Sequence, residues 1–324
     1  MAGGEFDLIR RHFTRPAPPG VLGVGDDCAL LPPQAAATAV STDLLVEGRH
    51  FFPDVDPRAL GHKSLAVNLS DLAAMGAQPT AFVLGLALPR IDDAWLEAFA
   101  QGLYALADAH GCPLVGGDTT RGGAGATISV TVFGAVPEAL ALRRSGARPG
   151  DDIWVSGELG AADLALRLLL DEPGLPVADR AAALAATRRA LEWPEPRVAL
   201  GLALRGVASA AIDISDGLLQ DLGHILAASN CGARVCADDL PAAAAVAALP
   251  PDWRRRCTLG GGDVYELCFT APADARPRVA EASARAGVPV ARVGAVEAGT
   301  GLRVTDASGA PLRSLPRAGY DHFA

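Results

Sequence analysis

Lysine is almost absent from this chain: Lys63 is the only one, and every other basic side chain is arginine. A Walker A loop ends in Gly-Lys-Ser/Thr after a glycine-spaced turn, and Gly61-His62-Lys63-Ser64 does not fit that pattern. Any nucleotide bound here is therefore held without a P-loop. Basic blocks are equally scarce. The one dense run, Arg254-Arg255-Arg256 after Trp253, reads as a solvated helix face. With a formal net charge of −9, the chain lacks the basic surface of a nucleic-acid binder. Cys-x-x-Cys pairs are missing, and Cys231 and Cys236 have no second pair or histidine cluster to complete a zinc site. Free thiols in a reducing cytosol are the expectation. No apolar run reaches the ~18 residues of a membrane span. The start, Met-Ala-Gly-Gly-Glu-Phe-Asp, has neither the basic nor the apolar region of a signal peptide. A cytoplasmic protein with no membrane partner is expected. No Ser-His-Asp or Cys-His set stands out for covalent catalysis.

What is present is enough apolar residue, 50% of 324, to build large cores. That length suggests two domains at ~100–200 residues each. Residues 4–14 carry Phe6, Ile9 and Phe13 at helical spacing, and Pro16–Gly20 ends that pattern. Strand-like runs at Ala39–Thr42, Ala81–Leu88 and Thr127–Ala135 alternate with helical patterns at Pro57–Met75 and Asp92–His110. The stretch beginning at Ser145 reads as a joint. After it come a strand at Asp152–Ser156 and Ala-rich helices at Ala161–Leu170, Arg180–Leu191 and Arg197–Arg205. Further strands are expected at Ser209–Ile214, Val264–Phe269 and Ala291–Val296, with a helix at Gly217–Ser229. The boundary falls near 140–150, giving an α/β domain over residues 1–145 and an α+β domain over 146–324. Ala81–Leu88 and Thr127–Ala135 carry apolar residues on both faces, a surplus that packing against a second copy would bury.

One pattern recurs: an apolar run, one or two small residues, then aspartate. It appears at Val24-Gly25-Asp26-Asp27, Val40-Ser41-Thr42-Asp43, Leu69-Ser70-Asp71, Val115-Gly116-Gly117-Asp118, Ile212-Asp213-Ile214-Ser215-Asp216 and Gly261-Gly262-Asp263. Any one of these also reads as a turn or a helix N-cap. Asp71 differs, because it lies inside a helical pattern one turn after Asn68, where aspartate is a poor helix former. Several carboxylates brought together repel unless a cation neutralises them, and hard oxygen ligands suit Mg²⁺. Magnesium in turn bridges carboxylates to phosphates. Gly116–Gly123 reads as a phosphate-binding nest or as a glycine-rich hairpin loop, and Arg121 or Arg144 could add a phosphate contact. His50, flanked by Phe51 and Phe52, either contacts a ring substrate or is a half-buried structural residue.

Taken together, these motifs resemble the thiamine-monophosphate kinases, of the superfamily of aminoimidazole-ribonucleotide and selenophosphate synthetases. The resemblance runs from Gly4-Glu-Phe-Asp-Leu-Ile through Gly23-Val-Gly-Asp-Asp-Cys-Ala, Ser41-Thr-Asp, His50-Phe and Ala66-Val-Asn-Leu-Ser-Asp-Leu-Ala-Ala-Met-Gly-Ala. It continues through Gly116-Gly-Asp-Thr-Thr-Arg-Gly, Asp213-Ile-Ser-Asp-Gly-Leu, Tyr265-Glu-Leu-Cys-Phe and Gly319-Tyr-Asp-His-Phe.

The resemblance implies an ATP-dependent transfer of phosphate to thiamine monophosphate, giving thiamine diphosphate, by a homodimer that joins through its N-terminal sheets. It implies that Asp27, Ser41, Thr42, Asp43, Asp71, Asp118, Asp213 and Asp216 hold several Mg²⁺ ions, with Asp43, Asp118 and Asp216 central to catalysis. It places ATP against Gly117, Asp118, Arg144 and Ser215, with Tyr104 near the adenine. It places thiamine monophosphate against His50, Asp263 and Arg317. Two departures stand out. The family reads Gly-Gly-Glu-Asp-Tyr-Glu-Leu where this chain has Gly261-Gly262-Asp263-Val264-Tyr265-Glu266-Leu267, and Arg317 replaces an aromatic substrate contact. Within the superfamily the rival is a synthetase that passes phosphate to another small acceptor. Outside it, the rival is a metal- or nucleotide-binding regulator without turnover.

Overall fold

The computed structural model describes residues 5–24, 28–312, 314–316 and 319. They form two compact units. The first runs to Ala139 except for Ala73–Gly76, which count with the second, and the second continues from Leu140.

The first unit opens with α1 (Glu5–Leu8), extended by a π-helical turn at Ile9–Phe13. Then follow β1 (Ala37–Val46), α2 (Pro57–Ala74), β2 (Gln78–Leu88), α3 (Asp93–His110), β3 (Leu114–Arg121) and β4 (Thr127–Val136). The sheet order is β1-β4-β2-β3, with β2 and β3 parallel and the other pairs antiparallel. A parallel pair needs a long crossover, and α3 supplies it. Asp92 starts α3 by accepting from the Trp95 N–H, and Gly111 ends it in the left-handed region at φ 59°. Leu96, Phe99, Leu103 and Ala107 recur at helical spacing and are buried.

Helix α2 is buried on nearly every side, including Lys63, Ser64, Asn68 and Ser70. Buried polar groups need partners. Ser64 Oγ donates to the Leu60 carbonyl at 2.7 Å, and Asn68 Nδ2 to the Ser64 carbonyl at 3.0 Å. The crossing with α3 is set by two glycines. A Cβ on Gly61 would lie 2.0 Å from the Phe99 carbonyl oxygen, and one on Gly102 would lie 1.8 Å from that of Arg58. No side chain fits either place, so backbone meets backbone.

The second unit holds β5 (Asp151–Ser156), α4 (Ala161–Leu169), α5 (Arg180–Glu192), α6 (Val198–Ala203), β6 (Ala210–Asp213) and α7 (Leu218–Ser229). After these come β7 (Gly232–Cys236), α8 (Ala244–Ala247), α9 (Pro251–Gly260), β8 (Leu267–Pro272), α10 (Arg276–Ala286), β9 (Val290–Glu297) and β10 (Gly301–Thr305). The strand order is β10-β7-β9-β5-β8-β6. Ile153, Val155, Ile212, Leu222, Ile225, Val235 and Val293 form its central core. The sequence expectation of two domains, a mixed sheet followed by an α+β domain, matches this architecture.

Four details differ from expectation. The Gly116–Gly123 segment is mostly the strand β3, and the turn covers only the residues after Arg121. Pairing with β2 overrides the loop tendency of its glycines, and an extended strand is neither a nest nor a hairpin loop. The strand expected at Val264–Phe269 begins instead at Leu267, because Asp263 and Tyr265 take left-handed φ values of 57° and 55° that end any extended run. The arginine run does lie on a helix, α9, but is not simply solvated. Arg254 and Arg255 pair with Asp238, and Arg256 pairs with Glu172 and lies over Trp253. In the first sheet the surplus apolar surface is greatest on β1, where Val40 and Leu44 are 57% and 56% exposed. The less covered face of β4 is largely polar, with Thr127, Ser129 and Thr131.

Gly102→Ala should lower unfolding stability by about 2–3 kcal/mol through overpacking against Arg58. The control Gly123→Ala, where nothing lies within 4 Å of an added Cβ, should shift it by less than about 0.5 kcal/mol. Urea denaturation midpoints check both values, and equal midpoints for the two variants would refute the crossing argument.

Candidate active site

In the first unit, β1 and α2 bring together three of the expected residues. Alternation along β1 points Ser41 and Asp43 to one side and Thr42 to the other. Ser41 Oγ donates to Asp71 Oδ2 at 2.5 Å. The Asp43 N–H is taken by Asn68 Oδ1 at 3.0 Å, so α2 fixes the register of this edge strand. Burial, and then the neighbouring negative charge of Asp71, push the Asp43 carboxyl up to about 6. Thr42 is a correction to the expected set. Its hydroxyl bonds Thr131 Oγ1 at 2.7 Å on the opposite face, which leaves only its backbone on the side of the carboxylates.

Asp118 is not part of this group. It lies on β3 in register with Gly85, and Gly85 in turn with Ser129 and Leu44. That is three strand positions from β1, about 14 Å at the ordinary spacing of strands. The preceding Gly117 is obligatory, since a Cβ there would meet the Leu84 carbonyl oxygen at 1.9 Å and its φ is +153°. Among the described residues, no three His, Cys, Asp or Glu side chains form a group that could hold a metal ion. The Asp43–Asp71 pair nonetheless suits Mg²⁺ in its donor chemistry. That ion takes one or two carboxylates and completes its shell with water and phosphate oxygens. Asp27 and Arg317 lie outside the described residues.

His50 follows β1. Its Nδ1 accepts from the Val46 N–H at 3.0 Å, which places the proton of the neutral ring on Nε2. Tyr104, expected near an adenine, is buried on α3 with the Arg15 guanidinium 3.5 Å from its ring centroid.

In the second unit, β6 ends at Asp213 and α7 begins after Gly217, so Ile214–Asp216 form a short loop at a strand end. Gly217 takes φ +133°, with the Gly260 carbonyl group 2.9 Å from the place of a Cβ. Asp221, in the first turn of α7, accepts from the Asp216 and Gly217 N–H groups at 3.1 and 3.0 Å. Burial raises its carboxyl to about 7 against the opposing pull of those N–H donors. Gln220 Nε2 donates to Asp216 Oδ2 at 2.9 Å. The Asp263 N–H donates to the Ser215 carbonyl, and the Tyr265 N–H to that of Ile214, both at 2.8 Å. Asp263 and Ser215 are therefore neighbours. Arg144 is exposed on its loop, and Ser229 Oγ holds that loop by donating to the Arg144 carbonyl and accepting from Gly146 and Ala147 N–H.

Asn68, Asp221 and Ser229 were not singled out from the sequence as supports. Asn68 stands one turn of helix before Asp71, at the i,i+3 spacing that would have pointed to it, whereas Asp221 lies five residues after Asp216 and gave no such signal. Ser229 is distant in sequence from Arg144 and gave no such signal.

The chain matches the AIR synthase related protein N-terminal domain over residues 25–136 and the corresponding C-terminal domain over residues 148–307. It is 47% identical to the thiamine-monophosphate kinase of Salmonella typhimurium, across 100% of this chain and 99% of that protein. It is 32% identical to that of Bacillus subtilis, across 98% and 99%. Among solved structures, the thiamine-monophosphate kinase from Stenotrophomonas maltophilia K279a superposes with a TM-score of 0.83 at 46% identity, covering 95% of this chain and 96% of that one. AaThiL, solved in complex with AMPPCP and TMP, gives 0.74 at 28% identity, covering 93% and 92%. The Escherichia coli hydrogenase maturation protein HypE gives 0.75 at 23% identity, covering 96% of each chain, a likeness of fold alone. Full-length identity of this order makes the chain a member of the thiamine-monophosphate kinase family of enzymes.

Proposed function

We propose that this enzyme transfers the γ-phosphate of ATP directly and in line to thiamine monophosphate, with Mg²⁺ as the charge-neutralising ion, in the cytoplasm, as a homodimer. The observation that carries the reading is the half-buried Asp43–Asp71 pair beside Ser41. A fold that places two carboxylates together, with one raised first by burial and then by the other's charge, suits a cation. The acceptor supports it too. A phosphate monoester is already an oxyanion at neutral pH, so the reaction needs no general base, and no base-nucleophile pair was found in the sequence. Binding by AMPPCP and TMP in the relative AaThiL agrees with the two substrates named here.

Bound Mg²⁺ would screen the repulsion between the two phosphates and orient them. Asp27, Asp43, Asp71, Asp118, Asp213 and Asp216 are the residues proposed to hold several such ions. Ser41 keeps Asp71 oriented. Gly117, Arg144 and Ser215 position ATP, and the arginine fork suits phosphate oxygens. His50 presents Nε2–H to the thiamine moiety, and Asp263 faces the same substrate. Catalysis on this reading is positioning and electrostatics.

The proposed dimer has a specific role. Asp43 and Asp118 sit on opposite edge strands of one sheet, too far apart for short side chains to share an ion bound at about 2.1 Å. A second copy could bring its Asp118 edge to the Asp43 edge of the first, and would cover Val40 and Leu44. Conversion of ATP and thiamine monophosphate to ADP and thiamine diphosphate tests the reaction. Phosphate passed only to another acceptor would favour the synthetase reading, and ATP binding without turnover the regulator.

Asp43→Asn and Asp118→Asn should each cost far more than about tenfold in kcat, equivalent to about 1.4 kcal/mol, with far-UV circular dichroism unchanged. Refolded together, the two variants should recover about a quarter of wild-type activity, because half the dimers are mixed and each carries one intact pair. Activity within tenfold of wild type in either single variant counts against the metal reading, and no recovery on mixing counts against sharing between copies. Light scattering at micromolar concentration should give twice the chain mass of 33.1 kDa. A monomer there defeats the dimer. Asp263→Glu should lower the KM for thiamine monophosphate and leave that for ATP unchanged, with a slightly lower Tm because glutamate tolerates the left-handed φ less well. A raised KM for thiamine monophosphate would mean that the turn had repacked.

A further inference from the structure

The turn that carries Asp263 is backbone-strained. Asp263 and Tyr265 both have positive φ, and for an aromatic residue this is a conformation that surrounding structure must enforce. Nothing in the turn's own sequence enforces it. Gly261 and Gly262 permit close approach, with a Cβ on Gly262 falling 2.7 Å from the Ser215 carbonyl oxygen, but they add no restraint. The restraint lies at the next residue. Glu266 is buried, and its carboxylate receives Arg197 through Nε at 2.8 Å and Nη2 at 2.5 Å, a two-pronged pair. Ser156 Oγ donates to the same carboxylate at 2.5 Å and itself accepts from the Leu267 N–H at 2.8 Å. Gly157, at φ +59°, leaves room for the carboxylate: a Cβ there would stand 2.0 Å from Glu266 Oε1. Four elements thus converge on one side chain. They are the end of β5, the residue that starts α6, the strand β8 and the turn itself.

The backbone of Glu266 faces the other way. Its carbonyl accepts from the Ile214 N–H at 2.8 Å, beside the Tyr265-to-Ile214 and Asp263-to-Ser215 bonds. Tyr265 Oη completes the turn by donating to Asp263 Oδ1 at 3.1 Å. We propose that Glu266, clamped by Arg197 and Ser156, is the positioning residue that holds the Asp263 turn and the Ile214–Ser215 segment in one register. On the functional reading above, on which this inference rests, it thereby sets the thiamine-facing side chain against the ATP-facing loop. A buried ion pair adds little net stability over a packed apolar substitute, so its purpose here is orientation.

The test uses Glu266→Gln and, as a packing-preserving alternative should that variant misfold, the double change Arg197→Met with Glu266→Leu. Hydrogen exchange reads the clamp without reference to activity. The amides of Asp263 and Tyr265 should exchange at least about tenfold faster, the loss expected for one charged hydrogen bond, while those of β5 stay protected. Steady-state kinetics should show KM for thiamine monophosphate rising at least about fivefold, with KM for ATP moving less. In an Asp263→Ala background the same Glu266 change should add less than about twofold, because a residue acting through Asp263 has nothing left to position. Unchanged exchange at both amides in a folded variant overturns the clamp. An undiminished effect in the Asp263→Ala background overturns its action through Asp263. If wild type makes no thiamine diphosphate, the functional reading falls and the exchange arm alone decides the clamp.

Discussion

Asp43 and Asp71 are held together between β1 and α2, where burial and then the charge of Asp71 raise the Asp43 carboxyl, and the first unit is arranged around keeping them there. Neither can move away. Asp71 stands on a helix buried on nearly every side, and Asp43 on a strand whose N–H is tied to that helix through Asn68. Helix α2 is in turn fixed by its crossing with α3, where Gly61 and Gly102 admit no side chain. The two carboxylates are therefore kept near each other by the fold, a setting that a bound cation would favour. A chain whose single lysine lies buried in this same helix has no ammonium to offer from a phosphate loop. On the proposed reading, a metal would do here what a lysine does in a phosphate loop.

The second unit solves a different problem, the placing of a short loop and a strained turn beside each other. Asp221 binds the N–H groups at the start of α7, and Glu266 binds the strained turn to β5 and α6. Both supports are buried carboxylates behind the loops, aimed at backbone or at an arginine. The residues expected to meet ligand, Ser215, Asp216 and Asp263, are the ones left partly exposed. Placing rigid charge behind a loop and leaving the ligand side open is how a site is preorganised without being filled.

Much of this was legible in the sequence, and the exceptions share a cause. Long apolar-periodic segments such as Pro57–Ala74 and Asp93–His110 declared themselves, because helical period and caps are local properties. Strand β3 did not, since Gly116 and Gly117 read as a loop until β2 is present to pair with them. The start of β8 was misplaced for the opposite reason: Val264 and Tyr265 favour strands, but tertiary bonds to Ile214 and Ser215 force left-handed geometry. In the site, the aspartates were found by their repeated setting after small residues. The side to which each points was not, because Thr42 and Asp43 are adjacent in sequence and opposite across the pleat. The contact of Arg15 with Tyr104 was not legible, because the two are remote in the chain.

The likeness to HypE separates what the fold provides from what decides the substrate. At 23% identity and a TM-score of 0.75, both units of this architecture persist in a protein of another name and role. The sheets and the helix crossing cannot then be what selects the acceptor. Selection must lie in parts that can vary without disturbing either core, and the Gly262–Tyr265 turn meets that condition. It hangs between α9 and β8 and is tied to the Ile214–Ser215 segment through backbone N–H groups. The substitutions found there, Asp263 and Val264 for the glutamate and aspartate the family pattern carries, fall where the clamp at Glu266 tolerates them. The backbone stays in register while the reach of the side chain changes, which is how one scaffold can tune its acceptor without rebuilding its phosphate chemistry.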